Sequence, residues 1–158
     1  MSVTPSGPPS ARLAELGLTL PDVVPPLAAY VPASRAGDLV FTAGQVPMRD
    51  GSLMHVGKLG ADVSEDDARA CAEQCALNAL AAAASVAGGL DSIQQVVKVV
   101  VYVASAPDFV GQPAVANGAS ELLGAVFGDA GQHARSAVGA ASLPLDAPVE
   151  VELVVRAG

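Results

Sequence analysis

The chain has no tryptophan, two tyrosines and three phenylalanines among its 158 residues, so aromatic rings cannot fill its interior. Since 51% of it is hydrophobic, the core must be built from alanine, valine and leucine, in helices and strands that approach closely. Basic residues are scarce: eight lysines and arginines face sixteen aspartates and glutamates, a formal net charge of −8, and the eight are scattered. Phosphate backbones and anionic lipid surfaces are bound by clustered cations. The composition therefore argues against nucleic acid and against a membrane surface as partners. Apolar runs such as Val99 to Ala104 are far short of the roughly 20 residues that span a bilayer. The first residues carry no basic-then-apolar segment with a cleavage site, so a cytoplasmic location is expected. The two cysteines, Cys71 and Cys75, stand four apart with no second ligand pair. They are expected to be small buried residues in a reducing compartment rather than a zinc signature.

What is present suits one domain. Residues 1–26 read as an N-terminal arm. Its first ten residues hold three prolines, three serines and a glycine and are expected to be disordered. A short helix over Ala11 to Gly17 and an extended stretch from Pro21 to Pro26 follow. Residues 27–158 read as the domain. A strand is expected over Leu27 to Pro32, a turn over Arg35 to Asp38, and a second strand over Leu39 to Gln45, paired with the first as a hairpin. Gly44 admits two readings: a bulge, or a place where a ligand approaches the backbone. Pro47 to Asp62 reads as a loop, in which Arg49, His55 and Lys58 have no constellation around them.

Ser64 is a helix cap, with Glu65, Asp66 and Asp67 complementing the dipole. The helix should run to about Ala87 and stop at Gly88-Gly89. Its face of Ala68, Cys71, Ala72, Cys75, Ala79, Ala82 and Ala83 is small enough to pack closely. Gln74 and Asn78 read as solvent-facing or satisfied by packing. Val96 to Val103 is a β-branched run expected as a central strand buried on both faces, with Lys98 toward one end. A second helix is expected from about Asp108 to Phe127, with Phe109, Leu122, Leu123 and Val126 inward.

Near the C-terminus, Ala134 to Val138 surround Arg135, and Val149-Glu150-Val151-Glu152 alternate with period 2. Leu143 to Pro148 reads as a turn between them. A hairpin-like unit would bring the Arg135 guanidinium and the Glu150 carboxylate to a common end of a sheet. The order β-β-α-β-α-β-β implies an α+β fold with two parallel strand pairs and both helices on one face of a mixed sheet. The other face would stay open, which implies oligomerisation.

The ordered set Tyr30, Leu39-Val40-Phe41-Thr42-Ala43-Gly44-Gln45-Val46-Pro47, Asn78, Val97-Lys98-Val99, Tyr102-Val103, Asp108-Phe109, Asn117, Ala134-Arg135-Ser136-Ala137-Val138, Leu143-Pro144 and Val149-Glu150-Val151-Glu152 resembles the Rid/YjgF family. These are reactive-intermediate (enamine/imine) deaminases, also known as endoribonuclease L-PSP or translation-inhibitor proteins. The resemblance implies a chorismate-mutase-like fold in a homotrimer with ligand clefts between subunits. It implies Arg135 as the holder of a substrate carboxylate and Glu150 as the group positioning a water that attacks C=N. Tyr30 would enter from the neighbouring subunit, and Ala43, Gly44, Asn117 and Ala137 would lie at the site.

The implied activity is hydrolysis of 2-aminoacrylate-type enamines or imines to 2-keto acids and ammonia. No metal or organic cofactor is implied, because a protonated imine is already electrophilic; the ligand is a small imino or keto acid. The chain departs from the family pattern at Ala43, where a serine is usual, and at Ala137, where a cysteine is frequent. It also places His133, a candidate acid or base, beside Arg135, and its N-terminal arm is longer. An alternative function is a non-catalytic module that senses a small carboxylate. A ribonuclease, which the older family name suggests, fits the acidic composition poorly.

Overall fold

The computed structural model describes residues 6–158. The part of the expected disordered lead that covers residues 1–5 lies outside them. Within the described part, helix α1 (Pro9–Glu15) begins earlier than expected, with a proline at its start. The backbone N–H and hydroxyl of Ser10 donate to the Asp91 carboxylate at 2.8 and 2.7 Å, and Leu13 is buried. Ser10 is thus an anchor, not part of a loose lead.

The hairpin is β1 (Ala33–Ala36) and β2 (Leu39–Thr42), joined by the two-residue turn Gly37-Asp38. The first strand starts six residues later than expected. Leu27 to Pro32 makes bends instead, because prolines at 25, 26 and 32 remove the donors that a ladder needs. Inside the expected loop lies a small separate hairpin, β3 (Met48–Arg49) with β4 (Ser52–Leu53).

Helix α2 (Glu65–Ala87) has the expected ends. Ser64 accepts from the Asp67 N–H at 3.1 Å, and Gly88 closes the helix at φ 92°. Ala68, Cys71, Ala72, Cys75, Ala79, Ala82 and Ala83 are fully buried. α2 is long and apolar enough by composition to cross a membrane, but 72% of that stretch is buried inside the fold, where it is the core helix.

Strand β5 (Ile93–Ala104), helix α3 (Gln112–Phe127), strand β6 (Ala134–Ala140) and strand β7 (Val149–Ala157) complete the chain. α3 starts four residues later than expected, at Gly111-Gln112-Pro113, where proline is tolerated in a first turn. The large sheet has the order β1-β2-β7-β5-β6, and only β5 and β6 pair in parallel. The two parallel pairs expected are therefore one. β2 and β5 run in the same direction, but β7 lies between them, antiparallel to both.

This placement also corrects the hairpin-like unit: β6 and β7 are not neighbours, because β5 separates them. Nor is β5 buried on both faces. Val96, Val99, Val101 and Val103 are buried under the helices, whereas Lys98, Val100 and Tyr102 are half-buried on the other face. Lys98 sits mid-strand rather than near an end. α2 and α3 share one face of the sheet, packing on β7, β2, β5 and β6. The opposite face leaves Phe41 46% and Val138 45% exposed, beside Val100, Val154 and the two glutamates of β7.

Candidate functional site

The ladder between β2 and β7 is interrupted where β2 ends. Phe41 pairs with Val154, and pairing resumes at Gln45 with Val151, so β2 carries one residue more than β7 across the gap. The Thr42 hydroxyl accepts the Leu153 N–H at 2.9 Å, satisfying the donor that the irregularity would orphan. Gly44 lies in the bulge. A Cβ built there would fall on Oε1 of Glu150. The bulge reading of Gly44 holds, and the open space above its backbone is occupied by the Glu150 carboxyl group.

That carboxyl lines a crevice of about 60 Å³ with Gly44, Gln45, Val46, Met48, Tyr30, Pro144 and Leu145, a space of the order of a few water molecules. Val24, Pro25 and Pro26 of the arm, with Leu27 after it, form one wall. Leu145, 54% exposed, has φ 60°, and Asp146 has φ 59°, conformations that non-glycine residues adopt at a cost. Burial, and secondarily the charge of Glu152, push the Glu150 carboxyl above the usual carboxylate range. Among the described residues no hydrogen-bond donor meets it. Tyr102 donates to Glu152 at 3.1 Å, and burial raises its phenol as well.

A second polar cluster surrounds Arg135. Its Nη1 donates to Asn117 Oδ1 at 2.7 Å and to Ser120 Oγ at 3.2 Å, and its Nη2 reaches the Pro113 carbonyl at 3.4 Å. Ser120 Oγ also lies 2.9 Å from His133 Nε2, and His133 Nδ1 is 2.6 Å from the Gly131 carbonyl. Arg135 is half-buried. Its three partners lie along one stripe of α3, at positions 113, 117 and 120.

One chain does not bring Arg135 and Glu150 together. Arg135 pairs with Val99, whose side chain faces the helices; Glu150 pairs with Tyr102, on the open face. They stand on opposite faces, two strands and three residue rows apart, roughly 10 Å in each direction by strand geometry. Tyr30, expected from a neighbouring subunit, shares the crevice with Glu150 of its own chain. Asn117 lies with Arg135. Ala43 hydrogen-bonds through its N–H to the Pro32 carbonyl, and Ala137, opposite Val101, packs against the core; neither lines the crevice.

Three contributions were not read from the sequence. Asn78, nearly fully buried, donates to the carbonyls of Val46 and Met48 at 3.1 and 3.0 Å and accepts from Gln74 at 3.1 Å. It ties the segment after the bulge to α2, so both residues are packing-satisfied and not solvent-facing. Ser120 could have been found as the i+3 neighbour of Asn117 on α3. The arm as a wall of the crevice has no local signal. Burial pushes the Cys71 thiol up to about 11 and the Cys75 thiol well above its ordinary value, which disfavours the thiolate form at either position. Among the described residues no group of three or more histidine, cysteine or acidic side chains could hold a metal ion.

The fold and this pair of clusters define a class, an α+β domain with helices on one sheet face and a bulge crevice at the strand ends. Residues 10–156 match the model of the family described as "YjgF/chorismate_mutase-like, putative endoribonuclease", and the chain belongs to that family. It is similar to Protein TCP17 of Trypanosoma cruzi, 42% identical over 157 residues that cover 99% of this chain and 98% of that one. Among solved structures it resembles the protein Atu1372 of unknown function from Agrobacterium tumefaciens, with 44% identity, TM-score 0.86 and coverage of 95% and 93%. It also resembles an endoribonuclease-named protein from Shewanella oneidensis, with 33% identity, TM-score 0.91 and coverage of 95% and 99%.

Proposed function

We propose that the protein hydrolyses small imines or enamines of 2-keto acids, in clefts assembled between copies of the chain. The observation that carries this reading is the Glu150 carboxyl. It sits in a small crevice where no donor among the described residues meets it, and its affinity for a proton is raised, as suits a general base. In this role Glu150 orients a water against the C=N carbon and takes its proton. The imine enters protonated; Glu150 returns the water's proton to the nitrogen of the resulting carbinolamine, the C–N bond breaks as the hydroxyl proton passes to Glu150, and ammonia and the keto acid depart. Arg135, whose planar fork suits a carboxylate, acts from a second copy, because within one chain it faces the other side of the sheet. The open face, with Phe41, Val138 and Val154, supplies apolar surface for a trimer. Such a protein needs no cofactor, and a cytoplasmic setting suits its buried free thiols.

A second reading, a sensor of small carboxylates, is favoured by Ala43 and Ala137, neither of which carries a group that moves a proton. A ribonuclease is disfavoured by the net charge of −8. The test is keto-acid release from imines generated in situ by an amino-acid oxidase. Faster release with the protein, lost in Arg135→Ala, is the expected result. Equal rates with saturable pyruvate binding would turn the conclusion to the sensor.

A further inference from the structure

His133, immediately before β6, and Arg135 on it both reach Ser120 of α3. The hydrogen bonds there have a single consistent direction when the imidazole is neutral. The Gly131 carbonyl can only accept, so Nδ1 carries the proton and Nε2 is an acceptor. The Ser120 hydroxyl then donates to Nε2, and its lone pairs are left to receive Arg135 Nη1. The chain Arg135 to Ser120 to His133 to Gly131 is fully satisfied, each donor polarising the next.

We infer that Ser120 and His133 are a positioning pair for Arg135 and couple its hold on a carboxylate to the charge of the imidazole. This role rests on the reading of Arg135 as the carboxylate anchor. When Nε2 gains a proton it must donate to Ser120 Oγ, the hydroxyl hydrogen turns away, and a second positive charge stands one hydroxyl behind the guanidinium. Without an anion the two cations repel; with a carboxylate on Arg135 both are compensated. Proton and carboxylate therefore bind cooperatively, and each strengthens the other by the same factor. Charged groups on the elements around the ring include Arg12 of α1, which donates to the Val126 carbonyl at the end of α3 at 3.3 Å. Glu121 of α3 is held by Arg69 at 2.9 Å, Asp129 is exposed in the preceding turn, and Lys98 of β5 pairs in register with Ala134 on the open face.

The first test needs no ligand: crystal structures of His133→Ala and His133→Gln at about pH 8. In His133→Ala the Ser120 hydroxyl loses its acceptor, so the guanidinium should draw off Ser120 while keeping Asn117 and Pro113, and it should stay on all three in His133→Gln, whose amide oxygen accepts from Ser120. The second is calorimetry with pyruvate. Affinity of the unmodified protein should rise about fivefold from about pH 8 to about pH 5.5. Glu150→Gln should keep that step, and His133→Gln should stay flat at the weaker level. A step retained in His133→Gln, a flat profile in the unmodified protein, or an undisturbed Arg135 in His133→Ala each overturns the pair. Should Arg135→Ala bind pyruvate unchanged, the anchor reading falls instead, and the guanidinium position in His133→Ala alone decides whether the pair positions it.

Discussion

The carboxyl group of Glu150 lies over Gly44, in the space a methyl group would take. The glycine is required by a neighbour's side chain, since its φ lies outside the left-handed region. Gly44→Ala must push Glu150 Oε1 aside, and the far end of a flexible side chain can move without disturbing the backbone. Melting temperature should change little. Imine hydrolysis should fall by about 10²-fold, as a displacement of about an ångström in a reacting group does. Unchanged turnover would show that the position of this carboxylate is not used.

Glu150 itself should cost the fold stability at neutral pH. Burial and Glu152 raise its proton affinity in the folded state, so the stability it contributes is present below the unfolded value and lost as pH rises through the folded one. Glu150→Gln removes that loss. Its melting temperature should exceed the parent's near neutral pH, and the difference should shrink toward zero in the acid range. Activity should be lost at every pH. Thermal melts across pH check the sign; a variant less stable at neutral pH contradicts it.

Asn78 serves two part-buried carbonyls and one buried amide. Asn78→Ala leaves all three without their partner, at a cost of about 2–3 kcal/mol, which a denaturant titration measures. Activity should also drop, because Val46 and Met48 line the crevice and lose their tether to α2.

Two glycines of α3 should respond with opposite signs. A Cβ on Gly118 would fall on the Arg69 backbone carbonyl of α2, whereas one on Gly124 meets nothing within 4 Å. Gly118→Ala should destabilise by about 1–3 kcal/mol, through overpacking against a backbone that cannot yield. It should also weaken pyruvate binding, since Asn117 and Ser120 shift with the helix. Gly124→Ala should stabilise by about 0.5–1 kcal/mol, through helix propensity. Melts of the pair give the comparison directly.

The ends of α2 were legible in the sequence because capping is local: Ser64 reaches only three residues ahead, and Gly88 needs only its own φ. The β-branched run of β5 was legible for the same kind of reason. Its neighbours were not. Alternation at Val149, Val151 and Leu153 says which face is buried and is silent about which strand lies alongside. The hairpin-like pairing of the last two strands therefore failed once β5 took the place between them. Tyr30, Gly44 and Glu150 were each identifiable, yet their meeting in one crevice with the arm depends on residues more than a hundred positions apart.

The amino-acid order by itself determined the family, the long helix α2, the strands β2, β5, β6 and β7 and the residues that carry charge or lack a side chain, since these follow from propensity, capping and pattern over a few neighbouring positions. Only the tertiary structure decided that Arg135 and Glu150 occupy opposite faces, that Gly44 makes room for a carboxyl group, and that Ser120 joins Arg135 to His133. Those relationships arise from strand order and helix packing, where the burial of distant apolar surfaces, and not any local preference, selects the arrangement.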